Sequence, residues 1–125
     1  MQDYHKLEVW KKASDLVDQV FPATQNFPPH GWDGNLAVQL RRSSVSVVLN
    51  IVEGCGRRGG PDFLKFLQTS MGSATEVEGA VELSRNRGYL DADKSAQLLS
   101  RVTEVKRMLT GLMKSLGGRW GPTEN

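Results

Sequence analysis

Few side chains in this sequence combine the types and the spacing that metal binding or acid–base catalysis requires. The two histidines, His5 and His30, have no cysteine or carboxylate near them at metal-ligand spacing. The sequence also lacks a Glu-x-x-His pair, which carboxylate-bridged di-iron bundles use to hold their metals. We therefore expect both histidines to be ordinary solvated side chains, and we expect no metal and no other cofactor.

Cys55, the single cysteine, lies between two glycines and close to Arg57 and Arg58. Neighbouring cations lower the pKa of a thiol, but no histidine lies close in the sequence to act as its base. A catalytic cysteine is therefore not expected, and neither is any other enzymatic activity.

The glycine-rich run 54–60 precedes a predicted helix, and helix N-termini attract phosphate groups. The run lacks the Gly-Lys-Ser/Thr ending of a phosphate-binding loop, and Pro61 removes one backbone donor. We interpret it as a flexible turn, and a weak contact with an RNA phosphate is the alternative interpretation.

Six polar side chains recur at steps of three and four in and just after the second predicted helix, which places them in one stripe. They are Gln39, Arg42, Ser46, Asn50, Glu53 and Arg57. The other faces of this helix are rich in Val, Leu, Ile and Ser, so we expect it to be covered on more than one side. Covered polar groups need partners.

Two interpretations of this stripe remain open. In the first it is a structural network, in which Asn50 binds a helix-end carbonyl and Arg42 pairs with Glu76 or Glu78 of the next helix. In the second it forms a subunit interface or a ligand groove, and Arg42 then pairs with Glu53 of a neighbouring copy. Small residues in the next helix, at 72–74 and 79–80, also favour close approach of another helix.

Four segments have the apolar periodicity of amphipathic helices, over about residues 5–24, 35–54, 61–86 and 91–116. The apolar stripe of the first is Leu7, Trp10, Ala13, Leu16, Val17, Val20 and Phe21. That of the third is Phe63, Leu67, Ser70, Ala74, Val77, Val81 and Ser84, and that of the fourth is Leu98, Val102, Val105, Leu109, Leu112 and Leu116. Pro28 and Pro29 are expected to end the first helix. Short links make consecutive helices antiparallel neighbours.

The sequence therefore predicts one all-α domain over residues 1–118, an antiparallel up-down-up-down four-helix bundle, and a flexible tail over 119–125. No apolar run approaches the roughly 18 residues of a membrane span. The N-terminus lacks the apolar region of a secretory signal, so we expect a cytoplasmic protein without membrane contact. A net charge of +2 is too weak by itself to indicate nucleic-acid binding.

Residues 39–46 followed by 50–54, with the sequences QLRRSSVS and NIVEG, resemble the signature of a four-helix-bundle family. The family is named after proteins encoded in intervening sequences of 23S ribosomal RNA. Residues 7–13 resemble its first-helix motif, and Phe27-Pro28 closes the first helix as in the family. Arg57, residues 63–67 and Gly72-Ser73 with Glu76 resemble its third-helix motif. The loop 29–34 is about one residue longer than usual, and the fourth helix matches only in its periodicity.

This resemblance implies a pentameric ring of bundles, no enzymatic activity and a link to nucleic acid. Similar proteins include the accessory variability determinants of diversity-generating retroelements, which are basic pentamers that bind a reverse transcriptase and its RNA. The partners implied are further copies of the chain, RNA or DNA, and a reverse transcriptase. Arg42, Asn50, Glu53 and Glu76 carry the family pattern, and we expect them to be architectural.

Two functions follow as hypotheses. The first is a nucleic-acid-binding accessory protein, and the second is a protein scaffold that assembles and docks a partner without any nucleic-acid role. The cationic candidates for phosphate contact under the first hypothesis are Lys6, Lys11, Lys12, Arg41, Arg57, Arg58, Lys65, Arg85, Arg87, Arg101, Lys106, Arg107 and Lys114.

Overall fold

The computed structural model describes residues 2–29 and 35–117. A short 3-10 helix, Tyr4–Lys6, precedes four long helices, and no strand occurs in this part of the chain. The long helices are α1 (Glu8–Ala23), α2 (Asn35–Cys55), α3 (Gly60–Asn86) and α4 (Ala92–Gly117). The predicted helix bounds agree with these to within three residues. The loop that contains His30 and the predicted tail over 119–125 lie outside the described residues.

Side-chain contacts between the helices show that neighbours run antiparallel. Where two contacts join the same pair of helices, the residue numbers rise along one helix as they fall along the other. The contact between α1 and α2 joins the end of the first helix to the start of the second. The contacts are Asp15 with Arg101 and Lys12 with Glu104 between α1 and α4, Val47 with Ser70 and Ser46 with Ser73 between α2 and α3, and Phe21 with Arg41 between α1 and α2. The all-α antiparallel four-helix bundle predicted from the periodicity is confirmed.

The core follows the predicted stripe of α3 completely, because all seven of its residues, from Phe63 to Ser84, are buried. In α4 the first four stripe residues are buried, but Leu112 and Leu116 are only partly buried. Met113 is fully buried in their place. A helix has 3.6 residues per turn, so a strict seven-residue pattern drifts around it, and the buried face moves from Leu109 to Met113.

The start of α1 differs from the prediction. Asp3 accepts a hydrogen bond from the His5 backbone N–H at 3.0 Å, and residues 4–6 form a 3-10 turn instead of the first turn of α1. Leu7 is in an extended conformation and separates this turn from Glu8. Val9, which the stripe omitted, is therefore buried, at 4% exposure.

The end of α1 also needs two corrections. Phe21 was predicted to be in the apolar stripe, but it is 43% exposed because Val20 takes the inward position beside it. The helix ends at Ala23, before Pro28 and Pro29. The Thr24 hydroxyl donates to the backbone oxygens of Val20 at 3.0 Å and Phe21 at 3.1 Å. Thr24 therefore satisfies the last turn itself.

Helices α2 and α3 form the most extensive contact of the bundle. The Ser70 hydroxyl donates to the Val47 carbonyl at 2.8 Å, across the buried interface. A Cβ atom at Gly54 would lie 2.7 Å from Phe63 Cδ1, so a side chain has no room there. At Gly72 and Gly79 a Cβ atom would meet nothing within 4 Å. Close packing within the subunit therefore explains Gly54, but not the two glycines in the middle of α3.

Candidate functional site

The polar stripe of α2 contains a small hydrogen-bond network that links this helix to α3. The hydroxyls of Ser46 and Ser73 are 2.8 Å apart. The Asn50 side-chain amide donates to the Ser46 carbonyl at 2.9 Å and to the Ser46 hydroxyl at 3.1 Å. The first interpretation predicted that Asn50 binds a carbonyl at a helix end. Asn50 instead binds a carbonyl inside its own helix. Sequence spacing alone could not identify Ser73 as the partner from α3.

The charged members of the stripe behave differently from one another. Glu53 and Arg57 form an ion pair of 2.7 Å, one helical turn apart. Gln39 and Arg42 are exposed, and Arg42 has no ion-pair partner among the described residues. Its suggested partner Glu78 pairs with Lys106 of α4 at 3.1 Å.

Glu76, the other partner suggested for Arg42 within the subunit, is exposed on α3 and has no ion pair in the described part of the chain. Arg42 therefore pairs with neither Glu76 nor Glu78 of α3 in its own subunit. Pairing with Glu53 of another copy stays a prediction.

An apolar groove runs along the outer side of α2, beside α1. One cavity of about 460 Å³ is lined by Phe21, Arg41, Arg42, Val45, Ser46, Leu49 and Asn50. A second cavity, of about 240 Å³, continues from Val45 and Leu49 toward Ser14, Val17 and Asp18 of α1. Leu49 is 58% exposed and Phe21 is 43% exposed. We call these two cavities together the α2 groove.

Arg41 is held at one side of the α2 groove. Its Nε–H donates to the Thr24 hydroxyl at 2.8 Å, and its guanidinium lies 5.4 Å from the centre of the Phe21 ring. The same Thr24 hydroxyl that ends α1 thus also fixes Arg41. This candidate for phosphate contact belongs to the groove and is only half-exposed.

Five of the other cationic candidates already pair with carboxylates. The pairs are Lys11 with Glu8 at 3.4 Å, Lys12 with Glu104 at 3.7 Å, Arg57 with Glu53, Arg101 with Asp15, and Lys106 with Glu78. Exposed pairs of this kind compete with a phosphate for the cation. Because of these ion pairs, the five side chains are weaker candidates for phosphate contact than the sequence alone indicated.

The remaining candidates fall at different places on the bundle. Arg58 and Lys65 are exposed, have no ion pair among the described residues, and lie where α2 ends and α3 begins. Arg85 and Arg87 are exposed at the opposite end of the bundle, and Arg107 is exposed on α4. The fold therefore does not bring all candidates together in one patch.

The residue types that catalysis or metal binding would need are dispersed or buried. Within the described ranges, no three side chains of the types His, Cys, Asp and Glu lie close enough to hold a metal ion. Cys55 is buried at 2% exposure, and this burial raises the pKa of its thiol instead of lowering it. The Asp3 carboxylate accepts from His5 Nδ1 at 2.8 Å, a contact that the sequence analysis missed, and this hydrogen bond lowers the pKa of Asp3.

Along the described residues, none of the helices has an apolar stretch long enough to cross a membrane.

Comparison with known proteins gives one family and one fold. The profile of the family described as 23S rRNA-intervening sequence protein matches residues 5–111. No curated protein matches the chain. The bundle is similar to the crystal structure of a protein with unknown function from the S23 ribosomal protein family of Bacteroides thetaiotaomicron. That structure is 21% identical, with a TM-score of 0.76, and the match covers 85% of this chain and 98% of the other. The likeness to the solved structure establishes the fold, and the profile establishes that this chain belongs to the 23S rRNA-intervening sequence protein family.

Proposed function

We propose that this protein is a non-enzymatic accessory protein of the cytoplasm that binds nucleic acid as an assembly of several copies. The observation that carries the proposal is the set of exposed cations that lack a carboxylate partner in the described part of the chain, among them Arg58 and Lys65. Cations without an internal partner are free to replace the counterions of a phosphate backbone. The family description, which refers to 23S rRNA, supports the same function.

A titration of structured RNA tests nucleic-acid binding. Affinity is measured by fluorescence anisotropy at about 50 and about 200 mM NaCl, since phosphate contacts weaken steeply over this range. We expect binding at the lower salt concentration and a clear loss at the higher one. Absence of binding at low salt, or affinity that salt does not change, would contradict the proposal.

The α2 groove supports assembly. Leu49 and Phe21 expose large apolar surfaces beside Arg42, which lacks an ion-pair partner among the described residues. The outer face of α3 carries Glu76 and Leu83, also without ion pairs there, and Leu83 is 55% exposed. Each face therefore carries at least one exposed apolar side chain, and Arg42 on one face is opposite in charge to Glu76 on the other.

We infer that the α2 groove of one copy receives the outer face of α3 of the next. The open space over Gly72 and Gly79 allows that close approach. Contacts between two different faces form a ring when the rotation from one copy to the next closes, and an open filament when it does not. A ring of five is the size that the resemblance implies.

Substitution of Leu49 with Lys tests this assembly. The added charge lies in the groove and should reduce the mass measured by light scattering to that of the monomer, while the helical content stays unchanged. Thr103→Lys is the matched control, because Thr103 is exposed on α4, away from the groove. A wild-type chain that is already monomeric, or a Leu49→Lys variant that assembles like the control, would argue against the proposed interface.

The alternative function is a scaffold that docks a partner protein, such as a reverse transcriptase, without a nucleic-acid role. The same apolar groove favours this alternative if no second copy fills it. A monomer that fails to bind RNA but retains one specific partner after nuclease treatment of a lysate would favour the scaffold over the nucleic-acid-binding protein.

A further inference from the structure

The charged side chains are distributed unevenly along the bundle. At one end the N-terminal segment, the turn between α2 and α3, and the end of α4 meet. The Gln2 backbone N–H donates to the Cys55 carbonyl at 2.9 Å, and Gln2, Arg58 and Leu116 line one small cavity. We call this the basic end, formed by residues 2–12, 53–66 and 110–117.

The basic end holds seven Lys or Arg side chains and four Asp or Glu side chains. The opposite end, formed by residues 18–29, 35–42 and 82–94, holds five Lys or Arg side chains and four Asp or Glu side chains. The middle of the bundle holds three Lys or Arg and four Asp or Glu side chains. The positive charge of the described residues is therefore concentrated at one end. The amino-acid sequence does not show this concentration, because the three segments are distant in the chain and meet only in the fold.

Most of the acids at the basic end are already engaged. Asp3 binds His5, Glu8 pairs with Lys11, and Glu53 pairs with Arg57, which leaves Asp62 without an ion pair among the described residues. Four cations at this end also have no ion pair there, and all four are exposed: Lys6, Arg58, Lys65 and Lys114. Four available cations against one available acid leave the same excess of three as the formal count, and exposed side chains without an ion pair carry it.

Aromatic rings lie among these cations. Tyr4 and His5 stack with ring centres 4.1 Å apart, and Trp10 meets both edge-on at 5.2 and 5.3 Å. The Arg57 guanidinium lies 4.7 Å from the centre of the Phe66 ring. Phe66, Lys65 and Arg57 line a cavity of about 340 Å³ on the side of this end.

Cations interleaved with aromatic rings are the combination that binds single-stranded nucleic acid, since the bases stack on the rings while the phosphates contact the cations. A duplex keeps its bases stacked inside and would use only the charges. An acidic membrane surface would likewise use only the charges.

We propose that the basic end is the nucleic-acid contact surface of this protein and that it takes single-stranded or unpaired nucleotides. Lys6, Arg58, Lys65 and Lys114 contact phosphates, and bases stack against the Tyr4–His5–Trp10 cluster. This inference rests on the proposed nucleic-acid function and adds the surface and the class of ligand.

A pair of double variants tests the surface. Arg58→Gln with Lys65→Gln removes two charges from the basic end, and Arg85→Gln with Arg107→Gln removes two exposed charges elsewhere. Binding of a labelled oligouridine is measured as a function of NaCl concentration. Each lost single-strand phosphate contact should reduce the slope of log K against log salt by about 0.7, so the first variant should lose about 1.4 and the second almost nothing.

The two ideas fail in different ways. Oligouridine binding that both variants reduce equally, or that only the second reduces, overturns the basic end as the contact surface and leaves the proposed function intact. A wild-type protein that binds neither oligouridine nor structured RNA overturns both. Tighter binding of a duplex than of a single strand of equal length overturns the single-strand assignment.

Tryptophan fluorescence gives an independent measurement that needs no change at the basic end. With Trp32→Phe and Trp120→Phe, Trp10 is the only remaining tryptophan of the three in the sequence. Oligouridine should quench its emission, and an abasic oligonucleotide of the same length should bind with little quenching. Equal emission in the presence and absence of saturating oligouridine would overturn the stacking contact.

Discussion

Gly54 lies where α2 packs against α3 with no room for a side chain, so even the smallest replacement should disturb the bundle. In Gly54→Ala the new methyl group would lie 2.7 Å from Phe63 Cδ1 and 3.1 Å from Phe66 Cβ. Forcing a methyl group into a packed interface costs about 1–3 kcal/mol. We expect urea denaturation to show a loss of that size in the free energy of unfolding.

Gly72→Ala is the matched control for this prediction, because it adds the same methyl group in the middle of an exposed helix face. A Cβ atom there meets nothing within 4 Å in the single chain, so in the monomer the variant should gain the ordinary helix preference of alanine, about 0.5–1 kcal/mol. If both variants changed stability in the same direction, the tight contact at Gly54 would be excluded. A loss of assembly in Gly72→Ala would place this face in the subunit interface.

Cys55 predicts a pH dependence. Burial raises the pKa of its thiol above the ordinary value of 9.0, so the folded protein binds the thiol proton more tightly than the unfolded chain. The unfolded state therefore binds fewer protons above about pH 9, and the thiol's contribution to stability falls as the pH rises through that range.

Cys55→Ala should lose less stability between pH 7 and pH 10 than the wild-type chain does, as measured by urea denaturation at each pH. The same burial predicts slow reaction of Cys55 with Ellman's reagent until urea unfolds the chain. Rapid labelling of the folded protein would contradict the burial.

Single residues of the candidate site could be predicted from the sequence only in part. The stripe from Gln39 to Arg57 was recognised by its spacing, and the Glu53–Arg57 pair follows from a separation of one helical turn. Ser73 and Lys106 could not be assigned as partners of Ser46 and Glu78. Those contacts depend on the relative rotation of two helices, which periodicity does not specify.

At the scale of the elements, α3 was predicted best because its buried face keeps one regular pattern from Phe63 to Ser84. The pattern failed where local hydrogen bonds compete with the helix. At the start of α1, Asp3 binds the His5 backbone and makes a separate 3-10 turn. At its end, Thr24 replaces the prolines as the terminating residue. Side chains that bond the backbone shift helix ends in ways that apolar spacing cannot show.

Leu109 and Leu83 test the difference between the inner and outer faces of the helices. Leu109 in α4 is fully buried, whereas Leu83 in α3 is 55% exposed. Leu109→Ala should lower the free energy of unfolding by about 2–5 kcal/mol, since it leaves a cavity in the core. Leu83→Ala should change it by less than about 0.5 kcal/mol in the monomer. Thermal unfolding followed by circular dichroism measures both, and similar losses would contradict the assigned faces.

At the scale of the whole molecule, the bundle has an outer surface with two distinct regions. The α2 groove with the outer face of α3 exposes Phe21, Leu49 and Leu83, and the basic end is cationic and aromatic. The apolar composition of α2 predicted that it would be covered on more than one side, but the concentration of charge was invisible in a net charge of +2. The two regions lie at different places on the bundle, so the proposed assembly and the proposed nucleic-acid contact use different surfaces.

The order in which the helices contact one another also bears on how the chain folds. α1 packs on α2, α2 on α3 and α3 on α4, and the last helix, α4, also packs on the first, α1. Bundles dominated by such local contacts fold within microseconds to milliseconds. During synthesis α1, α2 and α3 are complete before α4 is made. A nascent chain paused at that stage exposes the apolar sides of α1 and α3, so the arrival of α4 is the step that protects it from aggregation.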